Sequence, residues 1–488
     1  METLKDQGLR RVAIDPVSRV EGHGKITLLL DERNHVHEAR LHIVEFRGFE
    51  RFIQGRPYWE VPVMVQRLCG ICPVSHQLAA AKALDVVVGA RSLSRSAEQL
   101  RRLMHYGQIL QSHALHFYYL AAPDLLFGFD SEPARRNIVG VAEKHPETAR
   151  RGVLLRKFGQ EVIAAVAGKR IHGTGAIPGG VNKALDAVEA QRLLAQVYPI
   201  IAWCRDAVAL VRGLHLANPA LYDSFGAFRA HLLSLVGADG AMDLYDGRIR
   251  VRNAGGQIVM DGLEPSRYLD FLVEEVKPWS YMKFPYLKAL GSERGWYRVG
   301  PLSRVQNCDS IPTPLAEMER REFLDYAHGE PLRGPLAYHW ARMIEMLHAA
   351  ETIKDLLQDE ALEGSELLRE GQRVAEGVGV IEAPRGTLIH HYRVGEDDLV
   401  SWCNLIVSTT HNNQAMNEAL REVARRYLEG RDITEALLNH LEVAVRAFDP
   451  CLSCATHAIG KMPLIVELRD AAGNLLASRS REYLHPDA

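Results

Sequence analysis

Apolar and polar side chains alternate from Lys25 to Leu30 and again from His35 to Val44, with a break at Asp31-Glu-Arg-Asn34. Period-two alternation on either side of a polar tetrapeptide predicts a β-hairpin, because successive strand side chains face opposite sides of a sheet. From Ser94 the period changes. Leu100, Leu103, Met104, Gly107, Leu110 and Ala114 share one helical face, and Ser94 with Glu98 close behind marks the start. The same period runs through 187–213, 336–358, 413–429 and 434–448, and a further helix is predicted over 74–88. Short strands interrupt the helices. Arg248 to Arg252 and Gln257 to Met260 flank Asn253-Ala-Gly-Gly256, and 378–407 reads as extended segments about Ala383-Pro-Arg-Gly386. A chain of 488 residues has room for about three domains, yet no repeat, low-complexity tract or Pro/Ser linker divides it. The pattern therefore predicts a mainly α fold with small β appendages (α+β), a large helical-bundle body with an N-terminal β-hairpin region.

Two Cys-x-x-Cys pairs lie at predicted helix ends, Cys69 and Cys72 before the 74–88 helix, Cys451 and Cys454 after the last one, which Pro450 closes. A helix N-terminus leaves backbone N–H groups that can hydrogen-bond thiolate sulfur, and loop amides beyond a helix end can do the same. These four make up most of the seven cysteines, and four sulfurs brought together by the fold hold a soft metal. Structural zinc is the common fate of paired cysteines, but zinc knuckles place their second pair about 15–20 residues after the first. Here Cys72 and Cys451 are 379 positions apart, so a metal would tie a whole domain together. The spacing leaves three uses open: structural zinc, a catalytic soft-metal centre, or redox thiols. Cys204, Cys308 and Cys403 are isolated and read as ordinary buried thiols in a reducing compartment, since a chain this long buries a large core without disulfides.

Composition narrows the partners. With 24% charged residues and a formal net charge of −3, the chain has no basic surplus for nucleic-acid phosphates. The segment Met1-Glu-Thr-Leu-Lys-Asp6 lacks the apolar core of a secretory signal, and the most apolar stretch, His113 to Phe129, is broken by Pro123 and Asp124. Neither export nor a membrane span is expected, which points to the cytoplasm. No Gly-x-Gly-x-x-Gly signature occurs, and Gly173 to Val181 reads as a structural loop rather than a phosphate cradle.

The two claws, Arg67-Leu-Cys-Gly-Ile-Cys-Pro73 and Asp449-Pro-Cys-Leu-Ser-Cys-Ala-Thr-His457, taken with Arg19-Val-Glu-Gly-His23, closely resemble the large subunit of nickel–iron hydrogenases over nearly the whole chain. Val44-Glu-Phe-Arg-Gly-Phe-Glu50, Trp279-Ser-Tyr-Met-Lys-Phe-Pro-Tyr-Leu-Lys288 and Glu382-Ala-Pro-Arg-Gly386 are most similar to the cytoplasmic NAD-reducing branch. The resemblance implies reversible oxidation of dihydrogen, with Cys69 and Cys451 as terminal nickel ligands and Cys72 and Cys454 bridging to an iron that carries carbon monoxide and cyanide. It implies Cys451 as first proton acceptor and Glu21 as the next, although Glu21 could equally cap the hairpin. Arg385, after Pro384, would stand over the metals as a base or to orient dihydrogen and would contact a cyanide; Thr409 would donate to the other cyanide; His76 would orient a claw sulfur. A magnesium ion would lie on the Glu50 carboxylate, the Leu405 carbonyl and His457, unless Glu50 merely pairs with Arg47 or Arg51.

Two departures stand out against the family: Ser112 occupies the place of an aspartate in many respiratory members, leaving Asp449 to hold Arg385, and Ser408 replaces a proline. The resemblance further implies a small subunit with iron–sulfur clusters, diaphorase subunits carrying flavin and NAD, a maturation chaperone, and an endopeptidase. That protease would remove 458–488 from a 1–457 domain, including a hairpin of Ile465–Leu468 with Leu475–Ala477. The competing readings are a zinc-stapled scaffold and a complex-I-like subunit without the four ligands.

Overall fold

The computed structural model describes residues 9–90 and 92–456, together with the backbone of 464–469 and 475–481. The alternating N-terminal segment forms an antiparallel sheet of β1 (Arg10–Ile14), β2 (Gly24–Leu30) and β3 (Val36–Ile43) in that order. The hairpin is the one the alternation predicts. β1 is additional, a five-residue strand with no buried position, too short and too exposed to show a period. Ile26, Leu28, Ala39 and Leu41 sit opposite one another on the buried face.

The body is helical: α1 (Pro73–Val87), α2 (Arg95–Leu115), α3 (Pro146–Ala167) and α4 (Ala187–Ala217). Ser94 starts α2 as its cap, its side chain accepting from the Ala97 N–H. α2 packs on α3 at a glycine crossing, where a Cβ on Gly159 would stand 2.6 Å from the Gly107 carbonyl oxygen. The apolar run His113–Phe129 does not stop at Pro123. It continues from α2 through a wide π turn at His116–Ala121 into Ala122–Phe127, with proline in the first turn, where its missing N–H costs nothing. Asp124 is buried and bonded at 2.6 Å to both Arg19 and Arg446, so the polar residue that interrupts the hydropathy joins the N-terminal segment to the last helix. Among the described residues, α4 is the one helix long and apolar enough to cross a membrane, by length and composition only. Its buried residues Leu193, Val197, Ile200, Cys204, Val208 and Val211 follow helical spacing, while Arg205 and Asp206 are exposed.

A four-stranded sheet comprises β4 (His231–Val236), β5 (Arg248–Arg252), β6 (Ile258–Leu263) and β7 (Tyr297–Arg298), in the order β7-β4-β5-β6. After it come α5 (Pro301–Asn307) and α6 (Ala337–Leu357), the latter packed on α2 and α4. A meander of β8 (Glu376–Ala383), β9 (Gly386–Val394) and β10 (Val400–Ile406) follows. Ala383 pairs with Gly386, which leaves Pro384 and Arg385 as a two-residue turn. α7 (Glu435–Arg446) is the last helix before the C-terminal claw. Leu464–Arg469 pairs antiparallel with Leu475–Arg481, a hairpin slightly longer than the apolar residues alone predict. The two ends of the body meet: the Leu452 N–H donates to the Glu21 carbonyl at 2.9 Å and the Arg47 N–H to the Thr456 carbonyl at 3.0 Å.

Candidate metal centre

The first claw is a loop closed on itself and braced from behind. Cys69 is extended after a 3-10 turn and Cys72 caps α1, so the Ile71 and Cys72 N–H groups both point at the Cys69 sulfur, at 3.2 and 3.0 Å. Gln108 and Gln111 on α2 each donate to the Ile71 carbonyl at 2.8 Å, fixing the residue between the two sulfurs. Gln66 and Gln77 donate to the Gly173 carbonyl, and the His172 ring lies 3.2 Å from the Cys69 carbonyl. The glycine-rich 173–181 segment is thus bonded to residues on either side of the claw, and His172 just before it reaches the claw itself.

The second claw follows α7 through Asp449, which takes a left-handed φ of 55°, and is wound into one 3-10 turn, Ser453–Ala455. Neighbouring sulfurs lie at 2.8 Å (Cys69–Cys72 and Cys451–Cys454), 3.2 Å (Cys69–Cys451) and 4.0 Å (Cys72–Cys454). All four fall within 4.8 Å of one another, are buried, and are free thiols. Burial opposes ionisation of Cys69, but hydrogen bonds from the other cysteines and the nearby Arg385 charge outweigh it and pull its pKa well down. Cys451 and Cys454 are pushed well up, by burial first, then by the hydrogen bonds their thiols make to the other cysteines, with like charge across the cluster adding to both. Four crowded soft donors that cannot all ionise together fit a cation that would replace their protons.

Glu21 reaches this cluster from the N-terminal segment. Its Oε2 accepts from the Cys451 sulfur at 2.9 Å and from the Ser453 N–H at 3.2 Å, and its other oxygen accepts from the Ser453 hydroxyl. Gly22 makes the approach possible: its φ is +81°, and a Cβ there would stand 2.6 Å from the Ser453 nitrogen. On the opposite side a small cavity is lined by Cys72, His76, Pro384, Arg385, Thr409 and Cys451, among others. Arg385 donates from Nε to the Asp449 carbonyl at 2.6 Å and from Nη2 to the Asp449 carboxylate at 3.0 Å; the Ser112 hydroxyl is 3.4 Å from Nη1. Burial disfavours its charge, and Asp449 followed by the cysteines more than restores it, so the guanidinium stays protonated.

Comparison with known proteins agrees with this geometry. A family model described as HoxL-like matches residues 11–46, and one described as nickel-dependent hydrogenase matches 47–128 and 254–457, spanning both claws. The chain belongs to the nickel-dependent hydrogenases. A relative named NAD-reducing hydrogenase HoxS subunit beta, from Cupriavidus necator, is 49% identical over 97% of this chain and 100% of its own length. An F420-non-reducing hydrogenase chain from Methanococcus voltae is 38% identical over 96% of this chain and 99% of its own. Among solved structures, an NAD+-reducing [NiFe]-hydrogenase in the H2-reduced state superposes with a TM-score of 0.90 at 62% identity, covering 92% of this chain and 99% of that one. A [NiFeSe]-hydrogenase of Dm. baculatum, at 23% identity and a TM-score of 0.74, covers 92% of this chain and 100% of its own and shares the fold. The chain is thus a hydrogenase large subunit, and neither a zinc-stapled scaffold nor a complex-I-like subunit without the four ligands.

In this hydrogenase Thr409 and His76 line the cavity beside the cluster, while Glu50 and Leu405 meet each other. The Thr409 hydroxyl accepts from the Cys451 N–H at 2.9 Å, which keeps its own proton for another acceptor. His76 Nδ1 lies 3.1 Å from His390 Nε2, and His390 Nδ1 lies 2.6 Å from the Tyr392 hydroxyl, so a buried polar chain leads away from the cavity. Glu50 accepts from the Leu405 N–H at 2.9 Å, which places carboxylate and backbone together. Arg47 donates to the Leu68 and Arg67 carbonyls and Arg51 to the Gln54 side chain, so both arginines have partners other than Glu50. His457 lies outside the described residues. Ser408, where a proline is usual, donates to the Gly386 carbonyl at 2.7 Å and ties the cavity wall to the Pro384-Arg385 turn. Gln108, Gln111 and His172 carry no motif that marks them in the sequence, and Ser453, inside the second claw motif, has nothing there to show that it bonds Glu21. A pair of glutamines three apart on an otherwise apolar face is the one signal available for the first two.

Proposed function

We propose that the four sulfurs hold a nickel–iron pair, with Cys69 and Cys451 terminal on nickel, Cys72 and Cys454 bridging, and carbon monoxide and cyanide on the iron. Bound there, the pair supplies a redox-active Lewis-acid centre with an open position for dihydrogen. The observation that carries the proposal is the buried S₄ cluster with a carboxylate hydrogen-bonded to one sulfur and a guanidinium held over the other side. Cys451 accepts the proton at sulfur and Glu21 takes it 2.9 Å away, its carboxylate held by the Ser453 N–H and hydroxyl. Arg385, held protonated, orients the bound gas and contacts one cyanide, and the Thr409 O–H donates to the other. Pro384, Leu388 and Val407 keep that wall of the cavity apolar. His76 orients the Cys72 side. Magnesium occupies the Glu50 and Leu405 oxygens with His457.

Electrons must leave through another chain. Among the described residues the four claw cysteines are the one cluster suited to a metal, and Cys204, Cys308 and Cys403 are buried and apart. A small subunit with iron–sulfur clusters, and diaphorase subunits with flavin and NAD, complete a cytoplasmic NAD-reducing complex, as the name of the 49%-identical relative supports. The residues 458–488 are removed by an endopeptidase after a chaperone has assisted metal loading. Infrared spectra of the purified complex test the centre, since iron-bound carbon monoxide and cyanide absorb where protein does not. Nickel and iron with those bands are expected; active enzyme without them refutes the assignment. A mass for active protein that runs to Ala488 refutes the cleavage.

A further inference from the structure

Behind the Pro384-Arg385 turn lies an ionic cluster that touches none of the sulfurs. Arg304, on α5, is 1% exposed and donates from Nε and Nη2 to the two oxygens of Glu345, both at 2.6 Å. Its Nη1 reaches Glu382 Oε2 and the Ala383 carbonyl, each at 2.8 Å, and Nη2 lies 3.3 Å from the Pro384 carbonyl. One guanidinium therefore grips the two carbonyls that immediately precede Arg385. Glu382 is itself fixed by the Leu235 N–H at 2.9 Å and, across the turn, by the Thr387 hydroxyl at 2.7 Å. His113 stands 3.0 Å from Glu345. Burial opposes the Glu345 charge, but the Arg304 fork and His113 outweigh it and hold its pKa at about 2. α5 also abuts the turn through Gly300, where a Cβ would come within 2.8 Å of the Arg385 carbonyl.

Among the described residues the head of Arg385 is bonded to Asp449 and, weakly, to Ser112, neither of which fixes where its backbone lies. We propose that Arg304 is a positioning residue for dihydrogen chemistry: through Glu345, Glu382 and the two carbonyls it sets the height of the Arg385 guanidinium over the cavity. A fully buried ion cluster is a costly way to gain stability, and the five-donor fork is what the geometry uses. A lysine keeps the charge but cannot fill the fork and both carbonyls at once. The inference rests on reading the cavity as the seat of the iron and its diatomic ligands.

The test compares wild-type complex, Arg304→Lys and the near-isosteric Thr387→Val, which removes one bond from Glu382. If wild type lacks carbon monoxide and cyanide bands, the iron reading fails by itself. With those bands present, Arg304→Lys is expected to keep wild-type nickel and iron content, shift the cyanide bands, and lower kcat by about 10²-fold with little change in KM for dihydrogen. Thr387→Val is expected to shift the bands the same way by less, and it decides the matter if the lysine variant does not fold. Unmoved bands in every soluble variant overturn the proposal, whatever the activity.

Discussion

The two cysteine claws have the same spacing and opposite construction. The first is built into the helical body: two α2 glutamines, a neighbouring loop and its own N–H groups hold it, and none of these takes part in the proposed proton chemistry. The second is held almost wholly by the groups proposed to act on substrate and protons. Glu21 bonds its Cys451 sulfur and Ser453, Thr409 bonds the Cys451 N–H, and Arg385 bonds Asp449. The contacts that seat the second claw are therefore the ones the proposed chemistry uses, whereas those that seat the first are separate from it.

Substitutions sharpen that contrast, from the largest effect downward. Cys451→Ser removes a proposed ligand and the proposed first proton acceptor together, and nickel content and hydrogen uptake should both vanish; metal analysis showing full nickel would break the contrast. Glu21→Gln retains acceptor and donor atoms for Ser453 but cannot carry a proton onward. Activity should fall about 10²–10⁴-fold with nickel and iron unchanged. Uptake at wild-type rate would show that the carboxylate only braces the loop.

Acid attacks the body that carries the first claw. His105, His113 and His348 on α2 and α6 are fully buried, and desolvation lowers each pKa to about 4. The unfolded chain takes up these protons near pH 6.5 and the folded chain does not until about pH 4. Stability is therefore full above 6.5 and is lost as pH falls from there to about 4, by up to about 3 kcal/mol per histidine. Calorimetry at pH 7.5, 6 and 5 should show a falling Tm, less steep in His105→Gln; a Tm flat over that range contradicts the assignment. The smallest effect is expected from Gln108→Leu with Gln111→Leu. The Ile71 carbonyl is left unpaired, at a cost of about 1–3 kcal/mol seen as a lower Tm, while the metal-loaded fraction keeps near-normal turnover. Thr409→Val on the other claw should lose turnover as well as Tm, because it leaves the buried Cys451 N–H unpaired and removes the hydroxyl proposed to act at the centre.

Much of this was legible in the chain. Ser94 announced α2 because a cap is a local device, and the alternation about Asp31 announced the hairpin because strand period is local too. Cys69, Cys72, Cys451 and Cys454 stood out as two Cys-x-x-Cys pairs, whereas Glu21 and Arg385 were marked only by the family resemblance of the segments that contain them. Glu21 as hairpin cap or relay could not be separated, since that depends on which loop packs against Gly22. Asp124 read as an interruption of an apolar run because its partners, Arg19 and Arg446, lie 105 and 322 positions away.

By itself the sequence determined the elements and the donor set: helical and strand periods, caps, and four sulfurs too far apart for a zinc knuckle. Only the tertiary structure decided what each donor faces. Glutamine, arginine and serine carry no period and have many uses, so the roles of Gln108, Arg304 and Ser453 exist only once the fold has placed an Ile71 carbonyl, an Ala383 carbonyl and a Glu21 carboxylate within hydrogen-bond reach. Burial then makes those contacts obligatory, because a polar group withdrawn from water must be paired or its free energy is lost.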